Sequence, residues 1–223
     1  MTRTTNARIA GFTFLFYIAV AFPAIVIFDK ATGGEGAQEP LQVVAGHLIE
    51  MRITAVLDLV SSFCALVLAV TLYGITRDED RELAMLAFAC RVGEGILAAC
   101  PFATLALVWL AGSGAPDASS NTLATLLLKV GTWQSLSASI LFAVGSTIFS
   151  FLLLRGRMIP VAIAWLGLAG SALTVFVLLL QLPGFVSGPI TALMWIPVAL
   201  FEITLALWFL IKGVAPPMRR RPA

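Results

Sequence analysis

Apolar residues gather into six long stretches, about Ala7 to Phe28, Ile53 to Ile75, Leu83 to Leu110, Thr122 to Leu154, Val161 to Leu182 and Pro189 to Ile211, with short polar segments between them. Each is near or above the roughly 20 residues a helix needs to cross hydrocarbon. The pattern predicts an all-α, single-domain polytopic bundle of six transmembrane helices. Ahead of the second stretch, Leu41, Val44, Leu48 and Met51 recur at helical spacing, which predicts a short amphipathic helix over about 40–52, preceding the span or running into it. On its other face His47, Glu50, Thr54, Asp58 and Ser61 form a polar stripe from the outer surface to mid-depth. Pro101 removes a backbone donor inside the third stretch and predicts a bend there.

The third stretch also carries Arg91-Val92-Gly93-Glu94-Gly95 near its middle. An arginine and a glutamate three residues apart share one helical face. A charge at such depth costs roughly 2.5 to 3.5 kcal/mol on insertion scales, so both side chains are expected to face the bundle interior. Asp58, Lys129 and Glu202 lie inside other apolar stretches and could meet them. One carboxylate on its own helix cannot satisfy five guanidinium donors, so Arg91 is expected to touch a carboxylate of another helix as well, Glu202 or Asp58. Arg52, Arg91 and Lys129 against Asp58, Glu94 and Glu202 suggest an outward-opening polar pocket between the second, third, fourth and sixth spans.

Composition supports the membrane reading: 60% of residues are hydrophobic, 12% are charged and the mean hydropathy is +0.99. The net charge of +2 says little, but its distribution says more. Of the lysines and arginines in loops and tails, ten fall on one side, while Lys30 alone falls on the other. The positive-inside rule then puts both termini in the cytoplasm of a bacterial inner membrane. The basic tail Arg219-Arg220-Arg221 reads as a topology anchor touching anionic lipid. Near the N-terminus, Ala19-Val20-Ala21 resembles a signal-peptide cleavage site, but the apolar run continues and Pro23 disfavours cleavage, so the first helix reads as retained.

Several chemistries are weakened by what the chain lacks. His47 is the only histidine, and Cys64, Cys90 and Cys100 show no paired spacing, so neither a metal set nor disulfides are expected. No cofactor motif and no nucleic-acid patch is visible, which leaves membrane lipids and a small ligand as the expected partners. The candidate ligand-binding residues are Arg91, Glu94, Lys129, Asp58, Glu202, His47 and Glu50. Three functions fit: binding or transport of a small polar or amphiphilic ligand from the outer side, an intramembrane enzyme acting on a lipid or lipid-linked substrate, or a structural partner whose buried ion pairs fix helix register.

An ordered set of short motifs runs through the chain: Ala7-Arg8-Ile9-Ala10-Gly11, Arg91-Val-Gly-Glu94-Gly95, Arg157-Met-Ile-Pro160 with Trp165-Leu-Gly167, and Pro197-Val-Ala-Leu-Phe-Glu202 with Trp208 and Lys212-Gly213. Together they resemble bacterial membrane proteins of domain-of-unknown-function family four-three-eight-six. The resemblance implies a small multi-helix inner-membrane protein without an assigned activity and carries over no catalytic residues.

Overall fold

A long apolar helix in a membrane has one stable place for its backbone polar groups, its own hydrogen-bond ladder, and this chain is built accordingly. The computed structural model describes residues 2–34, 39–114 and 117–215, so the basic tail at Arg219 to Arg221 lies outside the described residues. Six helical segments are long and apolar enough to cross a membrane, which makes this a multi-pass membrane protein. They are α1 (Arg3–Thr32), α3 (Leu48–Thr76), α4 with α5 (Arg81–Ala98 and Phe102–Gly112), α6 (Ala118–Arg155), α7 (Val161–Gln181), and α8 with α9 (Pro189–Leu193 and Trp195–Ile211). The short α2 (Pro40–Ala45) lies between the first two.

The expected amphipathic helix is α2 with the first turn of α3, interrupted at Gly46 and His47. Its apolar face is the one buried, through Leu41, Val44 and Met51. Together with Ala31, Leu107 and Ala124 these close one end of the bundle. The bend expected at Pro101 is a full break between α4 and α5. Gln134 on α6 repairs it: Nε2 donates to the carbonyl oxygens of Leu97 at 2.6 Å and Cys100 at 2.8 Å. Leu97 sits four residues before the proline, so its carbonyl is the acceptor that loses an N–H partner. Neighbouring side chains commonly re-satisfy backbone freed in this way inside membranes.

The opposite end, which carries Arg3 and Lys212, is tied by charge. Arg3 Nη2 meets Asp78 at 2.7 Å, and Arg155 meets both Glu79 and Asp80 at 3.1 Å. The charged turn from Arg77 to Glu82 thus joins the start of α1 and the end of α6, more than a solvated turn would require. Asp80 also caps α4 through the backbone N–H of Leu83, and that hydrogen bond, followed by the bond from Arg155, holds its carboxyl below the usual range. At the α6–α7 turn, Arg157 N–H donates to Leu154 and Met158 N–H to Leu153, a helix stop that sets Arg157 at φ 49°. Small residues draw the helices together: a Cβ on Gly11 would stand 2.7 Å from the Ala206 carbonyl oxygen, so α1 and α9 can touch only because none is there.

Candidate functional site

The Arg91 motif works as a wedge between two helices. Gly95 leaves space for α3, where Ser62 Oγ donates to the Gly95 carbonyl at 2.8 Å. Gly93 abuts α6, where a Cβ would lie 3.0 Å from Leu141. Between them, Arg91 and Glu94 point into the bundle, as expected of charges at this depth. Arg91 is 1% exposed and Glu94 4% exposed.

Arg91 Nη1 lies 3.0 Å from Glu94 Oε2. The angle does not make this a hydrogen bond, and all three guanidinium nitrogens are buried without a hydrogen-bond partner, as is Glu94 Oε2. The guanidinium carbon sits 4.7 Å from the centre of the Phe142 ring, a cation–π contact that partly offsets its removal from water. Gly145, one turn further along α6, admits the aliphatic part of the arginine: a Cβ there would stand 3.1 Å from Arg91 Cγ and 3.2 Å from the Ala87 carbonyl oxygen.

Glu202 on α9 is the third buried charge, 6% exposed, and its Oε1 has no partner. It lies within electrostatic reach of both Arg91 and Glu94. The expected second contact of Arg91 is not made, however. Among the described residues the ion pair within 4.0 Å is with Glu94 alone, and neither Glu202 nor Asp58 comes that close. The reason is helix register: Arg91 and Glu94 are fixed by their own helical turn, whereas the height of α9 is set by packing such as Gly167 against Phe201. Tyr17, half-buried on α1, has its hydroxyl within electrostatic reach of Glu94, Arg91 and Glu202. Only a single aromatic among several on α1, it carried no sequence signal of this role.

The other candidate residues stand apart. Asp58 is half-buried on α3, and Lys129 is exposed on α6 beside exposed Thr125, Thr132 and Trp133. His47 Nδ1–H donates at 3.0 Å to the Val43 carbonyl oxygen at the break before α3, and Glu50 is half-buried in the first turn beyond it. Arg52 is exposed. The charges that seemed balanced, three of each sign, therefore reduce in the deep interior to one cation and two carboxylates. The structure pairs Arg91 with Glu94, sets Glu202 within electrostatic reach of both, and does not bring Lys129, His47 or Glu50 into an ion pair with them among the described residues.

A family model described as Domain of unknown function (DUF4386) matches residues 9–213. Comparison with curated proteins and comparison with solved structures each gave no match.

Proposed function

Because the chain belongs to the DUF4386 family, whose description assigns no activity, function has to be read from the core, and we propose that this membrane protein binds a small polar or amphiphilic ligand at Arg91, Glu94 and Glu202 and carries or holds it within the bilayer. The observation that supports this is a buried guanidinium whose ion-pair partner is Glu94 through Nη1, while its Nε and Nη2 and the buried Glu202 Oε1 have no hydrogen-bond partner among the described residues. Buried polar groups in a finished core are paired, and leaving one unpaired costs about 1 to 3 kcal/mol, more when it is charged. In this reading Arg91 meets an anionic or carbonyl group of the ligand, Glu94 holds the guanidinium in place, and Glu202 and Tyr17 offer an acceptor and a hydroxyl. The ligand arrives from the outer side when the apolar cluster under α2 opens, past Asp58 and the stripe from His47 and Glu50, with Lys129 near the entrance. The α4–α5 break at Pro101 gives the third span a place to hinge. Native mass spectrometry of gently extracted protein tests the reading directly: a retained small molecule or lipid, lost in Arg91→Met, supports it, and bare protein in every preparation counts against it.

A second reading has its own support. The Arg91 and Glu94 side chains are enclosed, and an enclosed pair can serve only to hold helices in register. The two readings separate on whether neutralising the pair removes a ligand or merely changes stability.

The orientation that suits the charge bias has both termini in the cytoplasm of a bacterial inner membrane. In a background without the three native cysteines, single cysteines at Gly33 and Ser113 are expected to react with an impermeant thiol reagent in intact cells. Labelling only after lysis would reverse the orientation.

A further inference from the structure

Beside the charged trio, a cavity of about 10 Å³ lies among α1, α3, α6 and α9, with Glu202, Ser146 and Ser150 as its polar lining and Phe14, Phe149 and Phe201 among its apolar walls. Its size admits the centre of about one water molecule. Two of the polar groups are orphans: Ser150 Oγ, on a residue 1% exposed, and Glu202 Oε1 are both buried without a hydrogen-bond partner. Ser150, like Ser61 and Ser171, is a buried serine whose hydroxyl finds no partner. Thr54, Thr71, Thr76, Thr147, Thr174 and Thr204 each donate to the carbonyl four residues back along their own helix. Ser150 makes no such bond, and its hydroxyl remains open.

We propose that this cavity is a built site for one water-sized hydrogen-bond donor, water or ammonium, which bridges Glu202 on α9 to Ser150 and Ser146 on α6. The occupant donates to Glu202 Oε1 and to a serine oxygen. A hydroxyl can accept while donating elsewhere, so either donor fits. Three polar partners fall within the two to four that hold a buried water in place. The aromatic walls suit a compact cation equally well. Glu202, which has no cationic side chain within 4.0 Å among the described residues, thus takes its partner from a small molecule. The inference stands on the cavity and its orphan groups, and holds whether or not Arg91 binds a ligand.

The test is the wild-type structure from crystals grown in a lipidic mesophase, at a resolution that shows ordered water. The expected result is one compact density feature about 3 Å from both Glu202 Oε1 and Ser150 Oγ. An empty cavity, with Ser150 bonded back to its own helix, overturns the proposal. Thermal unfolding in ammonium chloride, set against sodium chloride at equal ionic strength, then identifies the occupant. A saturable rise in Tm specific to ammonium and absent in Glu202→Gln assigns ammonium, and density without any such rise assigns water. A rise that persists in Glu202→Gln, together with an empty cavity, overturns both forms.

Discussion

Gly145 and Arg91 fit together at a scale where one methyl group matters. Gly145→Ala places a carbon 3.1 Å from Arg91 Cγ and 3.2 Å from a backbone oxygen of α4, and the oxygen cannot give way without moving the helix. Overpacking of this kind typically costs about 1 to 3 kcal/mol. The expected result is a clear fall in Tm for Gly145→Ala, with little change for Gly131→Ala, where a Cβ meets only ordinary contact with Ala103 at 3.5 Å. Sequence alone showed that Arg91, Glu94 and Glu202 would face inward, because depth in an apolar run leaves a charge no cheaper place to go. It could not show which carboxylate Arg91 meets. Partners within one helix follow from periodicity, but partners across helices depend on sliding heights that no local pattern encodes. For the same reason Tyr17, Phe142 and Gly145 were invisible as neighbours of the trio, being ordinary residues on helices whose facing was unknown.

The third span shows how an element carries a flaw and its remedy in two places. Pro101 strips the Leu97 carbonyl of its helical donor, and Gln134, on a different helix, supplies two bonds. Both carbonyls keep a backbone donor, Leu97 from Cys100 N–H and Cys100 from Phe102 N–H, so Gln134→Leu should lower stability by about 1 kcal/mol, the usual net worth of a side-chain hydrogen bond. Adding Pro101→Ala restores an N–H at that position, so the Gln134→Leu penalty should be smaller in the double variant. Equal penalties in both backgrounds, measured by thermal unfolding, would mean that Gln134 acts through something other than the break. The bend itself was legible from the proline; its repair was not, because Gln134 is 33 positions further along, on a helix whose facing no local pattern gives. The α2 helix is the converse case, since its apolar spacing was plain and the interruption at Gly46 and His47 was the part left open.

Across the whole molecule, the end carrying Arg3 and Lys212 is held by ion pairs that cross from α1 to the α3–α4 turn and from there to α6. Asp80 links two of these roles, as cap of α4 and partner of Arg155. Its carboxyl is held below the usual carboxylate range, first by the Leu83 backbone N–H and then by Arg155. The stability this contributes is fully present above the unfolded value, near pH 4, and is lost as pH falls through the lower folded value. Wild-type Tm should thus begin to fall below about pH 4, and Asp80→Asn, which keeps a capping oxygen but not the charge, should fall less steeply over the same window. Identical acid slopes would remove Asp80 from the account. The six-span architecture was legible at this scale because hydrocarbon thickness sets helix length, while the ion-pair ties depend on how the helix ends meet.

The most direct test of a ligand site at the core uses the pair that the geometry shows. Arg91→Met alone leaves Glu94 buried and unpaired, and breaking a buried pair in this way costs roughly 3 to 5 kcal/mol. Arg91→Met with Glu94→Gln removes both members of the ion pair and leaves only Glu202, which makes no ion pair within 4.0 Å among the described residues of the wild type either, so most of the lost Tm should return. Ligand retention, followed on the same samples by native mass spectrometry, is predicted not to return, because the guanidinium that would bind the ligand is gone. A paired variant that regains its stability and still retains the same ligand as wild type would contradict the account, leaving Arg91 and Glu94 as a device that holds α4 in register.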